Sequence, residues 1–257
     1  MEVFLNLDAW IALLTLTFLE IVLGIDNIIF ISIVTGKLPE EKRKKATKVG
    51  MFLAMFMRIA LLLGISYLIA MKEPWFTIDF SFLKASISGQ SLILFLGGMF
   101  LIYKSTKEIH EKVDLKGEEE KELKNSALKS FGSVIIQIIL IDLVFSFDSI
   151  LTAVGMTNGV AGALYIMVTA VVISVFIMMQ FAVPVGNFVN KNPSIQILGL
   201  SFLILIGLML ITESAHLSNA LILGNHVTPL PKGYLYFAIT FSLLVEFLNM
   251  RVDKKKK

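Results

Sequence analysis

The chain contains no cysteine and only three histidines. The missing thiols remove disulfides and thiolate metal centres, so any bound metal must meet oxygen or nitrogen ligands. Charged residues make up 17% of the sequence, and no Walker-type phosphate loop occurs. Any transport would therefore have to draw on an electrochemical gradient. No basic segment precedes the first apolar run, which follows Met1-Glu2-Val3 and continues too far for a signal-peptide core. It is expected to be a mature membrane span. The net charge of +3 says little as a sum and suggests no nucleic-acid partner.

What is present in excess is apolar side chain. Of 257 residues, 56% are hydrophobic, including 20 Phe and 12 Met, and the mean hydropathy is +0.81. The surface of a soluble domain of this size would have to carry the surplus, so the expected solvent is a lipid bilayer. Runs long enough to cross ~30 Å of hydrocarbon, about 20 residues each, fall at 10–34, 49–71, 89–104, 131–154, 161–189, 196–214 and 233–250. The expected fold is an all-α membrane protein with seven transmembrane helices. The third run is short, turning polar at Lys104, and Pro184 is expected to kink or stop the fifth.

Lysine and arginine are distributed unevenly. Nineteen fall in the 1–2, 3–4 and 5–6 connections and the tail, against Lys72, Lys84 and Lys232 on the other side. The positive-inside rule places the N-terminus outside and the C-terminus in the cytoplasm. The 3–4 connection, 105–130, mixes both signs and reads as a solvated, partly helical cytoplasmic linker. Lys254 to Lys257 read as an anchor near anionic headgroups.

Two stretches interrupt the apolar runs in the same way. Glu20-Ile21-Val22-Leu23-Gly24-Ile25-Asp26-Asn27-Ile28 returns 122 residues later as Asp142-Leu143-Val144-Phe145-Ser146-Phe147-Asp148-Ser149-Ile150. Both read acid, five residues, acid, small polar residue, isoleucine. At the same offset Arg58-Ile59-Ala60 and Gly64 fall opposite Gln180-Phe181-Ala182 and Gly186. Gly98 to Ser105 matches Gly207 to Ser214 at an offset of 109. The copies delimit a first repeat, 10–104, and a second, 131–214, with the seventh helix, 233–250, outside both. Three helices per copy is an odd number, so the copies must run through the membrane in opposite directions. Inverted repeats with polar residues at mid-span mark secondary transporters, whose substrates bind at the repeat interface.

A carboxylate at bilayer depth costs several kcal/mol unless it is paired, protonated or hydrated, so four of them are expected to act. On an unbroken helix Glu20 and Asn27 share a face, as do Asp142 and Ser149, whereas residues six apart lie ~120° out of phase. Unwinding at Gly24 and Ser146 is therefore expected, to bring Asp26 and Asp148 into the same site. Glu20, Asp26, Asn27, Asp142, Asp148 and Ser149 form a hard-oxygen donor set that suits Mn²⁺, Mg²⁺ or Ca²⁺. With the ion gone some acids would take up protons, a natural coupling to H⁺.

The plainer readings stand beside this one. Arg58 can form a structural ion pair with Glu20 or Asp142, or act as a counter-charge for the site. Gln137 and Gln180 read as interhelical hydrogen-bonding residues or as ligands. Glu246 lines an approach or snorkels to the cytoplasmic face. His110, His216 and His226 lie at segment ends or in loops, where metal access or pH sensing is a minor alternative. The Met and Phe content reads as lipid-facing or packing, and Gly97-Gly98 and Gly207 as sites of close helix approach.

At its acidic motifs, and at Lys104-Ser105-Thr106-Lys107-Glu108-Ile109-His110, the sequence resembles the TerC family of integral membrane proteins. This is the tellurite-resistance-associated group that includes bacterial manganese exporters, and the resemblance extends over nearly the whole chain. It implies a seven-helix bacterial inner-membrane protein that exports Mn²⁺, linked in some members to supplying metal to secreted enzymes. The family's acidic residues carry over to Glu20, Asp26, Asp142 and Asp148, with Asn27 and Ser149 beside them. Members are also associated with tellurium resistance and with calcium, so the family does not fix the ion.

The resulting expectation is a secondary transporter, not an enzyme, that exports Mn²⁺ in exchange for H⁺ and holds no resident cofactor. Its partners are the lipid bilayer, the divalent ion and H⁺. One rival is a transporter of Ca²⁺ or another cation with the same fold; another is a non-transporting membrane partner that assists metalation of secreted proteins. An intramembrane aspartyl protease needs one Asp from each of two helices sharing a proton, and Leu23-Gly24-Ile25-Asp26 lacks the Gly-x-Gly-Asp spacing of that group. An exporter of amino acids or oxyanions would want fixed positive charge at mid-span, where only Arg58 offers any.

Overall fold

The computed structural model describes residues 6–80, 83–114, 130–157 and 159–256. In chain order the elements are α1 (Leu7–Gly36), α2 (Glu40–Leu63), α3 (Ile65–Ala70), β1 (Pro74–Asp79), β2 (Leu83–Ser88), α4 (Gly89–Asp114), α5 (Phe131–Met156), α6 (Ala163–Lys191), α7 (Pro193–Leu217), β3 (Leu221–Ile222), β4 (Asn225–His226) and α8 (Lys232–Lys256). Among the described residues, six helices are long and apolar enough to cross a membrane: α1, α2, α5, α6, α7 and the part of α8 up to Val252. The third expected span, 89–104, lies inside α4 and is not among the six. Its apolar stretch is bounded within the helix by Gln90-Ser91 and by Lys104. Most of the expected 105–130 linker lies outside the described residues, and its first part continues α4 to Asp114.

Two compact units divide the chain, Met1–Ala70 with Glu119–Asn190 and Met71–Glu118 with Lys191–Lys257. In the first unit, α1 opens on Asn6, whose side chain accepts from the Asp8 amide at 3.3 Å. α2 starts nine residues before the expected span, directly after Pro39. Glu40 and Glu41 suit the positive end of the helix dipole, and the lysines that follow are good helix formers outside the hydrocarbon. It ends at Gly64, and α3 resumes at once, so the expected 49–71 span is two helices. α5 is capped by Ser130, which accepts from the Ser133 amide at 3.2 Å. α6 runs through Pro184 to Lys191, so the expected stop does not occur. Ile28, Phe30, Val34, Leu62, Ile138, Ile141, Ile150 and Ile166 form the unit's buried apolar interior.

In the second unit α4 and α7 pack face to face through Gly98 and Gly207, where each glycine lies against the other's backbone. The expectation of an all-α chain is corrected here by a small antiparallel sheet of order β1-β2-β3-β4. β1 and β2 form a hairpin with a bulge at Trp75. β3 and β4 are joined by Leu223-Gly224 at φ 51 and 81, the left-handed pair that a tight two-residue hairpin requires. α8 packs on α7 and leaves Phe237, Phe241, Leu244, Phe247 and Leu248 exposed, as expected of a face in contact with lipid.

Candidate functional site

Arg58 is the hub of a buried polar cluster in the first unit. It is 3% exposed, and its three donor groups face three different partners. Nη1 donates to Glu20 Oε2, Nη2 to Asp142 Oδ1 at 2.7 Å, and Nε to the Ser146 hydroxyl at 2.9 Å. Ser146 stands one turn after Asp142 on α5, and that spacing lets its hydroxyl donate to Asp142 Oδ2 at 3.0 Å. Asn27 Nδ2 donates to Asp142 Oδ1 at 3.4 Å. Glu20 and Asp142 are both buried near the middle of 30- and 26-residue helices. The fork of the guanidinium is what permits one cation to hold both. With both acids ionised the cluster carries one excess negative charge.

The helices do not unwind where the sequence suggested. α1 is continuous through Gly24 and α5 through Ser146. Gly24 is instead a site of close approach: a β-carbon there would lie 2.0 Å from Met178 Sδ on α6. Ser146 spends its hydroxyl bridging Arg58 and Asp142 rather than relieving a broken turn. Unbroken helices keep the six-residue phase difference, so Asp148 lies on a face of α5 about 120° from Asp142. Asp148 is half-buried, and the Arg58 nitrogens Nη1, Nη2 and Nε donate to Glu20, Asp142 and Ser146. The backbone of Asp26 belongs to α1, while its carboxylate lies outside the described side chains.

Other expected residues sort clearly. Ser149 is buried, and its hydroxyl donates to the Ser146 carbonyl at 3.3 Å. Gln137 Nε2 donates to Ser133 Oγ at 3.2 Å, and its buried Oε1 has no hydrogen-bond partner among the described residues. Gln180, the counterpart of Arg58 in the second copy, is exposed, as are His110, His216 and His226. Glu246 is half-exposed on α8. Among the described residues no group of three or more His, Asp or Glu is gathered around one point.

Two cavities border α1 at different heights. At its N-terminal end a cavity of ≈ 230 Å³ is bordered by Asp8, Ala12, Thr15, Leu16 and, across from them, Met156 and Val160. Further along, a pocket of ≈ 20 Å³, about the size of one water, is lined by Gly24, Asn27, Arg58, Asp142 and three methionines, Met51, Met55 and Met178. Asn27 Oδ1, buried beside it, has no hydrogen-bond partner among the described residues. Asp8, Ala12, Leu16, Glu20, Gly24 and Ile28 follow one another at intervals of four, but such a row drifts by about 40° per step, so the Asp8 and Gly24 ends lie on nearly opposite sides of α1.

Sequence reasoning missed the methionines and Asp8. Their residue types are abundant in any membrane protein, and only their convergence singles them out. It also missed a buried polar set in the second unit, where Lys104 pairs with the fully buried Glu108 at 3.0 Å and Lys112 donates to Gln196 Oε1.

Comparison with known proteins places this architecture. The Integral membrane protein TerC family matches residues 5–257. The UPF0053 inner membrane protein YgdQ of Escherichia coli K12 is 49% identical over 248 residues, 96% of this chain and 95% of its own length. A UPF0053 protein of Haemophilus influenzae is 45% identical, with 97% of each chain covered. YoaE, an inner membrane protein of Escherichia coli K12, is 43% identical over 97% of this chain but only 44% of its own length. No solved structure matches. With its apolar helices and a match spanning all but the first four residues, the chain belongs to the TerC family of integral membrane proteins.

Proposed function

We propose that the chain is a secondary transporter that exports a divalent cation, Mn²⁺ above others, from the cytoplasm in exchange for H⁺. The observation that carries this reading is the buried cluster of Glu20, Arg58 and Asp142 with Asn27 beside it. Two carboxylates near the middle of apolar helices meet a buried guanidinium and a carboxamide oxygen with no partner among the described residues, in a setting where ionised groups are rare and mark pathways. Asp26, Asp148 and Ser149 complete the oxygen donor set when the helices move. Arg58 keeps Glu20 and Asp142 compensated while no ion is bound, and an arriving cation takes its place on them.

Seven spans in two inverted three-helix repeats, N-terminus outside and C-terminus cytoplasmic, supply the two alternating states. In favour of the repeat is the reciprocal contact of Gly98 and Gly207, which are counterparts at the 109-residue offset. In this orientation the cavity beside Asp8 faces outward and the pocket beside Asn27 lies on the cytoplasmic side of the ion cluster.

The test is Mn²⁺ uptake into inside-out proteoliposomes by the wild type, Asp26→Asn and Asp148→Asn, with Ca²⁺ and Mg²⁺ as competitors and lumenal pH followed. Saturable uptake with lumenal proton loss, absent in both variants, is the expected result. No uptake by the wild type, or uptake untouched by both substitutions, overturns it. A second reading, a non-transporting partner that assists metalation of secreted proteins, is favoured by the closure of Glu20 and Asp142 on Arg58. In that reading the cluster holds helices together, and the wild type shows no flux.

A further inference from the structure

The pocket beside Asn27 has an unusual wall. Its lining brings together the oxygen-bearing side chains of Asn27 and Asp142, the Arg58 guanidinium that compensates Asp142 until a cation displaces it, and the thioether side chains of Met51, Met55 and Met178. All three methionines are buried, at 5%, 7% and 5% exposure, and they come from two different helices, α2 and α6. Gly24 has no side chain to hold Met178 away, so the Met178 sulfur lies directly against α1, within a turn of Asn27. Asn27 is 7% exposed, and its buried carboxamide oxygen has no hydrogen-bond partner among the described residues. A buried acceptor without a donor is costly and calls for an explanation, such as a ligand that supplies positive charge.

Thioether sulfur is a soft donor. It has no affinity to offer Mg²⁺ or Ca²⁺, which are held by oxygen alone; Mn²⁺ shares their preference for oxygen but, as a transition ion, gains weakly from sulfur, and the softer Cd²⁺ gains more. Isoleucine or leucine would fill the same volume at similar hydrophobicity, as Ile28, Ile31 and Val175 already do elsewhere in this wall. Methionine at three positions adds polarizable sulfur to that packing.

We propose that Met51, Met55 and Met178 form the selectivity wall of a mixed oxygen and thioether cation site with Asn27 and Asp142, which admits transition-metal ions and rejects Ca²⁺ and Mg²⁺. This rests on the export reading for its location and deepens it by naming the class of ion. The wall discriminates by differential affinity: the oxygen ligands attract any divalent cation, and the sulfurs add binding only for the softer ones.

The experiment measures binding as well as flux. Purified protein is titrated calorimetrically with Cd²⁺, Mn²⁺ and Ca²⁺, and uptake of Mn²⁺ against Ca²⁺ competition is followed in proteoliposomes. The variants are Met178→Leu, Met55→Leu and Met51→Leu, which conserve volume, with Met99→Leu on the exposed face of α4 as control. The expected result is a loss of about tenfold or more in Cd²⁺ affinity for at least Met178→Leu, a size seen when even outer-shell partners of a metal are removed. Ca²⁺ should become a better competitor of Mn²⁺ in the same variants, with Met99→Leu unchanged. Failure of wild-type protein to bind Cd²⁺, or equal Cd²⁺ affinity and equal Ca²⁺ competition in all three variants, overturns the thioether wall. Cd²⁺ binding that is lost in Met178→Leu but accompanied by no flux in the wild type supports the site and sinks export, so the two ideas fail separately.

Discussion

A β-carbon on Gly98 would lie 2.6 Å from the carbonyl oxygen of Gly207, and one on Gly207 would lie 2.8 Å from the carbonyl oxygen of Gly98. The obstruction in each case is backbone, which cannot rotate away. Ile211 and Ile102 repeat the reciprocity: their Cγ1 atoms would lie 2.9 and 2.8 Å from a β-carbon on Gly98 and on Gly207, respectively. Gly98→Ala and Gly207→Ala should each force α4 and α7 apart and cost about 1–3 kcal/mol, the usual range for overpacking. Thermal unfolding in detergent measures it. Because one separation relieves both clashes, the double variant should cost less than the sum.

Arg58 and Glu20 should behave as a unit. Arg58→Gln leaves Glu20 and Asp142 buried together without their cation, a loss of about 3–5 kcal/mol when one side of a buried pair is removed. Adding Glu20→Gln to Arg58→Gln removes one of the stranded charges and should restore part of that loss. Unfolding midpoints of the single and double variants give the coupling, and strictly additive effects would contradict the geometry.

Asp142→Asn and Asp148→Asn should separate stability from function. Asp142 receives Arg58, Ser146 and Asn27, so its amide variant loses about 3–5 kcal/mol as well as cation uptake. Asp148 is half-buried and lies on a face of α5 about 120° from Asp142. Its amide variant should lose uptake while retaining most of the wild-type unfolding midpoint.

Asn27→Leu removes a long hydrogen bond of 3.4 Å to Asp142 and at the same time removes the orphaned acceptor. The two changes oppose each other, and the net effect on stability should stay within about 1 kcal/mol. Saturable cation uptake should nevertheless disappear. A variant that is strongly destabilised, or that transports normally, would show that the carboxamide serves packing alone.

The acidic motifs were legible because a charge in an apolar run has only one solvent and few remedies. The same logic picked out Arg58 and named Glu20 or Asp142 as its partner, and the folded chain gives it both. The helix ends were less legible. Hydropathy tracks the part of a helix that meets lipid, so it passed over the lysine-rich start of α2 and the polar end of α4, which are helical in water for reasons of propensity. The β1–β2 hairpin was missed because six-residue strands of mixed polarity look like any connection between spans.

Membership of a bilayer protein class, the duplicated acids and the positions of the long helices were determined by sequence alone, since hydrophobic surplus and spacing along one chain suffice for them. Tertiary structure decided what the motif residues do. Whether Gly24 breaks a helix or admits a neighbour depends on Met178, 154 residues away. Whether Ser146 frees backbone or bridges a guanidinium depends on where α2 places Arg58. Three methionines among twelve line one pocket with Asn27 only because α2 and α6 bring them there. Each of these depends on distances between helices, and no periodicity within one helix encodes such a distance.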